Sequence, residues 1–121
     1  MNNLIAVFIG GGLGSIARLG ISLFVYERFK TIFPLATLIS NLLSCLILSL
    51  AILFFSEKLN LNLALRMLIL TGFCGGFSTF STFSYETIEL IRSGNTWYAV
   101  ANILISSALC LGVVLFLTKN Q

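Results

Sequence analysis

The chain has 121 residues, 58% of them hydrophobic and only 9% charged, with a formal net charge of +3. That balance is too apolar for a water-soluble domain of this length and reads as an integral membrane protein. Histidine is absent, which removes the commonest general base and metal ligand, so enzymatic chemistry is a poor starting point.

The apolar residues fall into four blocks, at about residues 4–25, 34–55, 67–91 and 96–118. Each is near the ~20 residues a helix needs to cross the hydrocarbon core, and the linkers are too short to hold a soluble domain. The expected architecture is a single all-α domain over residues 1–121 with four transmembrane helices. The first block has no basic residue before its apolar core and is too long and glycine-rich for a signal peptide, so it is read as a retained helix. Cys45, Cys74 and Cys110 lie within spans at spacings that match no metal motif, and are read as small packing residues.

The first helix carries Gly10, Gly11, Gly14 and Ser15, two small-xxx-small pairs on adjoining faces that allow two close helix contacts. Arg18 follows within the apolar run. It either snorkels to the interface or faces a polar vestibule, where a fixed cation concentrates anions. Pro34 sits where a first helical turn accepts it. In the second helix Asn41, Cys45 and Ser49 recur every fourth residue, giving one polar stripe. The Asn41 amide can glue two helices together or present its donors to a permeating anion.

Asn62 is a candidate N-cap for the third helix. The stretch Gly72 to Ser84 combines three glycines, five hydroxyl residues and four phenylalanines inside an uncharged run. Its glycines predict a broken helix, with the break at Gly75–Ser78, because each costs about 1 kcal/mol in a helix relative to alanine. Backbone freed at that depth must be buried in protein or coordinate something. Beyond the break, Phe77, Phe80 and Phe83 are expected on one face and Ser78, Ser81, Thr82 and Tyr85 on another. Ring edges are electropositive and hydroxyls donate, so the two faces together could line a path for a partly dehydrated anion. Glu86 is either an acid at the mouth, free to pair with a cation such as Arg18, or a solvated helix end, the reading preferred for Glu89. Gly94 and Asn95 mark a helix stop and restart, and Trp97 and Tyr98 an interfacial anchor. The fourth span repeats a weak polar stripe with Asn102, Ser106 and Cys110.

Lys and Arg outside the spans divide three against three between the two sides, Lys58, Arg66 and Lys119 against Arg28, Lys30 and Arg92. The positive-inside rule therefore gives almost no orientation, which permits insertion both ways and an antiparallel two-fold dimer. The net charge says little about partners, since a few basic residues at membrane ends are ordinary; the expected partner is the lipid bilayer, with no nucleic acid.

Three motifs, Gly10-Gly11-x-x-Gly14-Ser15-x-x-Arg18, Thr37-Leu38-x-x-Asn41 and Gly72-x-x-Gly75-Gly76-x-Ser78-Thr79-Phe80-Ser81-Thr82-Phe83, give the chain a resemblance to the Fluc or CrcB family of prokaryotic fluoride channels over nearly its whole length. The resemblance implies an antiparallel, dual-topology homodimer in a prokaryotic cell (inner) membrane, with two pores that pass fluoride passively out of the cytoplasm. By resemblance, Phe80 and Phe83 are pore-lining rings, Asn41 is a fluoride-contacting amide, and Ser81 and Thr82 belong to a polar track. Gly75 and Ser78 match positions whose backbone carbonyls hold a central sodium ion (Na+) between subunits. Arg18 and Glu86 match family residues with less defined roles. The chain departs from the pattern at Ala36 and Ser44, where glycine is frequent, at Leu19, where an aromatic is usual, and at Cys110, which replaces a hydroxyl. A proton-coupled exporter of small organic cations is the main rival, and it requires a mid-membrane carboxylate. A non-conducting structural subunit is a second, against which Asn41, Phe80 and Phe83 argue.

Overall fold

A computed structural model describes residues 2–57 and 62–121; Lys58 and Asn60 of the second linker lie outside them. Four helices are long and apolar enough to cross a membrane: Asn3–Arg28, Leu35–Glu57, Leu63–Arg92 and Thr96–Thr118. We label the first two α1 and α2 and the last α6. The third is composite, running through α3 (Leu63–Arg66), a π-helical segment (Met67–Phe73), α4 (Cys74–Phe77) and α5 (Phe80–Arg92).

Local chemistry sets the ends. The Asn2 and Asn62 side chains each accept the N–H two residues on, at 2.8 and 2.9 Å, and so cap α1 and α3. Pro34 precedes α2, and its carbonyl accepts the Leu38 N–H at 3.2 Å. Gly94 has φ +85°, the left-handed conformation that stops α5. Asn95 opens α6 without a side-chain cap bond; its amide instead donates to Ser93 Oγ at 3.0 Å. At three span ends a cation lies over a ring, Arg28 over Phe24 at 5.4 Å, Arg66 over Phe55 at 5.7 Å and Lys119 over Phe116 at 4.8 Å. This is how a long basic side chain keeps its charge near water while its stem stays in apolar surroundings.

The glycines explain the contact between the first and third spans. A Cβ at Gly10 would overlap the Leu68 carbonyl, and one at Gly14 the Phe73 carbonyl. From the opposite side, a Cβ at Gly72 would crowd the Val7 carbonyl and one at Gly76 would overlap that of Gly11. The two backbones therefore meet with no side chain between them, the close approach that small residues permit in lipid, where dispersion rather than water expulsion holds helices together. Of the two close contacts that the small residues allow, Gly10, Gly11 and Gly14 all take part in one, with the third span. Wider turns adjoin it: the Cys74 N–H reaches the Ile69 carbonyl, five residues back.

The second span packs on the fourth and crosses the third near its interruption, while α5 lies along α6. Ser40, Ser44, Ser49 and Asn102 are buried between helices. Large apolar side chains such as Phe8, Ile16, Leu104 and Leu115 face outward, as expected of surfaces that meet lipid or another membrane helix.

Candidate functional site

The third span is interrupted at Ser78 and Thr79, both in extended conformation (φ/ψ −83/156° and −150/115°). This corrects the expected position at Gly75–Ser78: Gly75 and Gly76 stay helical within α4. Gly72 and Gly76 give close packing against α1, whereas the break comes from capping. Asn41 clasps the Thr79 backbone from α2, with Oδ1 accepting the Thr79 N–H at 2.7 Å and Nδ2 donating to the Thr79 carbonyl at 3.3 Å. Thr79 Oγ1 accepts the Thr82 N–H at 3.1 Å and so starts α5.

The last carbonyls of α4 find separate partners. Cys74 O accepts from Ser78 N at 3.0 Å, Ser78 Oγ at 2.8 Å and Ser44 Oγ at 2.9 Å. Gly76 O accepts Arg18 Nε at 3.1 Å. The Gly75 carbonyl loses the donor that a continuing helix would supply, because the Thr79 N–H is turned to Asn41. Gly75 is exposed, and a Cβ there would meet nothing.

Beside the break lies an open groove of about 350 Å³. Its walls are Asn41 and Cys45 from α2, Ser78 and Thr79 at the break, Phe80 and Phe83 from α5, and Ser106, Ser107 and Cys110 from α6. The polar stripes of the second and fourth spans thus converge on one space, closed on one side by two rings 5.8 Å apart and tilted by 31°. Phe80 is 79% exposed, so this side is open in the single chain. Phe83 is held from behind: Asn102 Nδ2 donates to Thr87 Oγ1 at 2.9 Å, and Thr87 Oγ1 donates to the Phe83 carbonyl at 2.7 Å. Ser106 Oγ donates to Asn102 Oδ1 at 3.1 Å, tying the groove wall to the same network.

Other expected neighbours separate. Phe77, expected on the Phe80 and Phe83 face, lies before the break, buried edge-on against Phe73 at 5.5 Å. The hydroxyls of Ser81 and Thr82 gather on Thr79 Oγ1, at 3.3 and 3.0 Å. Arg18 and Glu86 do not pair: Arg18 serves Gly76, and Glu86 accepts a short hydrogen bond from Thr37 Oγ1, one turn from Asn41 on α2. Glu86 also lines a second cavity of about 310 Å³ with Pro34, Tyr85 and Glu89. Glu89 pairs with Arg92 at 2.9 Å on the exposed surface.

Thr79, Ser44 and Thr87 carry structural roles that the sequence reading left unassigned. A hydroxyl residue three places before Thr82, just ahead of an apolar face, was a usable N-cap signal for Thr79. The other two depend on helix crossings that spacing alone does not give.

Comparison with known proteins shows the family. The family described as CrcB-like protein, Camphor Resistance (CrcB), matches residues 5–117. A protein of Coxiella burnetii (strain CbuK_Q154) named fluoride-specific ion channel FluC is 42% identical over 110 residues, covering 90% of this chain and 89% of its own length. A protein of the same name from Serratia proteamaculans (strain 568) is 45% identical over 108 residues, covering 89% and 84%. Fluoride-specific ion channel FluC 1 of Yersinia pestis is 42% identical over 122 residues, covering 99% and 95%. With four helices able to span a membrane and a match along nearly all of its length, the chain belongs to the CrcB family of multi-pass membrane proteins.

Proposed function

We propose that this chain is a fluoride-selective channel that lets cytoplasmic fluoride leave a prokaryotic cell across the inner membrane, down its electrochemical gradient. The observation that carries the reading is the groove in which the Asn41–Thr79 clasp sets Phe80 and Phe83 opposite hydroxyl-bearing helices. Fluoride is small and holds its water strongly, so a selective path must supply replacement donors without binding the ion tightly. Asn41 has a second amide hydrogen beyond the one given to Thr79, Ser106 and Ser107 supply hydroxyls, and ring edges add weak positive potential. Ser81 and Thr82 are not part of the groove wall; their hydroxyls meet Thr79 Oγ1, which is. Neither Lys nor Arg lines the groove, so no full positive charge would trap the anion there. Arg18 and Glu86 act outside it, Arg18 by holding the end of α4 and Glu86 by anchoring Thr37.

The pore is completed by a second, antiparallel copy, giving an antiparallel homodimer with two pores. The exposed face of Phe80 and the exposed Gly75 on the same composite span support this reading, as do the evenly divided loop cations. Na+ fits between the two copies: the Gly75 and Ser78 carbonyls are hard oxygen ligands suited to a hard cation, and Gly75 has given up its helical donor. When bound, the ion would neutralise the partial negative charge at the two interrupted helix ends.

The proton-coupled exporter is not favoured. Its exchange chemistry needs a free mid-membrane carboxylate, whereas Glu86 is engaged by Thr37 and lies six residues, about 9 Å, from the end of α5 at Arg92.

Purified protein reconstituted into fluoride-loaded liposomes is expected to release fluoride rapidly and chloride at no more than the protein-free leak. Equal release of both ions would overturn the selectivity. For dual insertion, a single cysteine placed after Gln121 in a cysteine-free variant should react with impermeant maleimide from both faces of the membrane. Labelling from one face only refutes it.

A further inference from the structure

Cys45 and Cys110 stand on facing helices and both line the groove, in company with Asn41, Phe83 and Ser106. Both are partly buried, on two helices that pack against each other, and no disulfide joins them. Cys74, by contrast, is buried on α4 and is not part of the groove wall. The fold thus sets two thiols on one groove, where polar stripes of two spans converge.

We propose that Cys45 and Cys110 form a two-thiol site for a soft, thiophilic metal cation, and that an ion held there closes the groove. Soft sulfur ligands select soft d10 cations, which accept two sulfurs as a complete ligand set, so no third protein ligand is required. Each thiol releases one proton to water as its sulfur bonds the metal. With a divalent ion the resulting centre is neutral, and no electron is transferred. Because the protons must leave, binding strengthens as pH rises and weakens as it falls. A metal bridge between α2 and α6 would fill the narrow space beside Asn41 and Phe83 and also lock the two walls together. The closure half of the proposal rests on the groove being the fluoride path; the two-thiol site itself does not.

Hg2+ is the probe, applied to the native chain in detergent and in liposomes. Intact mass is expected to show one mercury per chain with two protons lost, and maleimide labelling of Cys45 and Cys110 should fall together in proportion to mercury added. Fluoride release should drop at least tenfold and recover with dithiothreitol. Cys45→Ser and Cys110→Ser should each require at least tenfold more Hg2+ for the same block, while Cys74→Ser keeps native sensitivity. Independent loss of the two labels, or a block unchanged in Cys45→Ser, would overturn the two-thiol site without touching the channel reading. Paired protection with fluoride release unchanged would uphold the site and overturn closure, placing the fluoride path elsewhere. The labelling measurement on unsubstituted protein decides the site even where a variant folds poorly.

Discussion

Asn41→Leu is expected to reduce fluoride release from liposomes about a hundredfold or more. The leucine removes both partners of the Thr79 backbone, whose N–H and carbonyl bond Asn41 at 2.7 and 3.3 Å. A buried backbone group left without a partner costs about 1–3 kcal/mol, so two of them cost about 2–6 kcal/mol. Each ~1.4 kcal/mol of that penalty lowers tenfold the share of chains that hold α5 in its native place, so loss of the clasp alone accounts for the fall in flux. Asn41→Asp separates the two roles of the amide. The carboxylate still accepts the Thr79 N–H and keeps the break in place, but it withdraws the donors and sets a negative charge in the anion's path. This variant should elute from a sizing column as the native protein does and conduct as poorly as Asn41→Leu. Native flux in both would return Asn41 to a packing role.

Phe80→Ile and Phe83→Ile form the second strong expectation. Each keeps bulk in the groove and removes the ring edge that attracts an anion. On the scale of edge contacts between rings, about 0.5–1.5 kcal/mol, fluoride release is expected to slow about two- to tenfold in each. The fold of the single chain should be unchanged, because Phe80 is 79% exposed and supports little of its core. Phe83 is more enclosed, and its carbonyl takes part in the Thr87–Asn102 chain through the backbone, which the substitution spares. A rate within twofold of native for both variants would make the rings filler. The same replacement at Phe77 makes a useful contrast. That ring is buried against Phe73 before the break, so Phe77→Ile should act on folding rather than on selectivity.

The four spans were legible because length and hydropathy depend on composition alone. The polar stripes were legible for a related reason: Asn41, Cys45 and Ser49 in one span, and Asn102, Ser106 and Cys110 in another, each repeat every fourth residue, and that periodicity survives folding. The place of the break was not. A glycine costs the same helix propensity whether it unwinds the chain or admits a neighbouring backbone, and only the crossing with α1 shows that Gly72 and Gly76 do the second. The interruption belongs to Ser78 and Thr79, where Asn41 from another span wins the Thr79 N–H; that competition is tertiary, and the local sequence carries only the Thr79 hydroxyl as a candidate N-cap. The fates of Arg18 and Glu86 were hidden in the same way. Opposite charges suggested a pair, whereas the fold gives Arg18 a helix-end carbonyl and Glu86 a threonine hydroxyl. The fourth span divides by depth: Asn102 is consumed in a buried network, while Ser106 and Cys110 reach the groove.

The most direct test is the reversal potential of current through the reconstituted protein in a planar bilayer, with fluoride concentration varied on one side and chloride and pH held fixed. A fluoride-selective channel predicts a shift of about 59 mV for each tenfold fluoride ratio, the Nernst slope for one charge, and no shift when chloride is varied instead. A potential that follows chloride, or one that follows the proton gradient as a coupled exporter requires, would contradict the account.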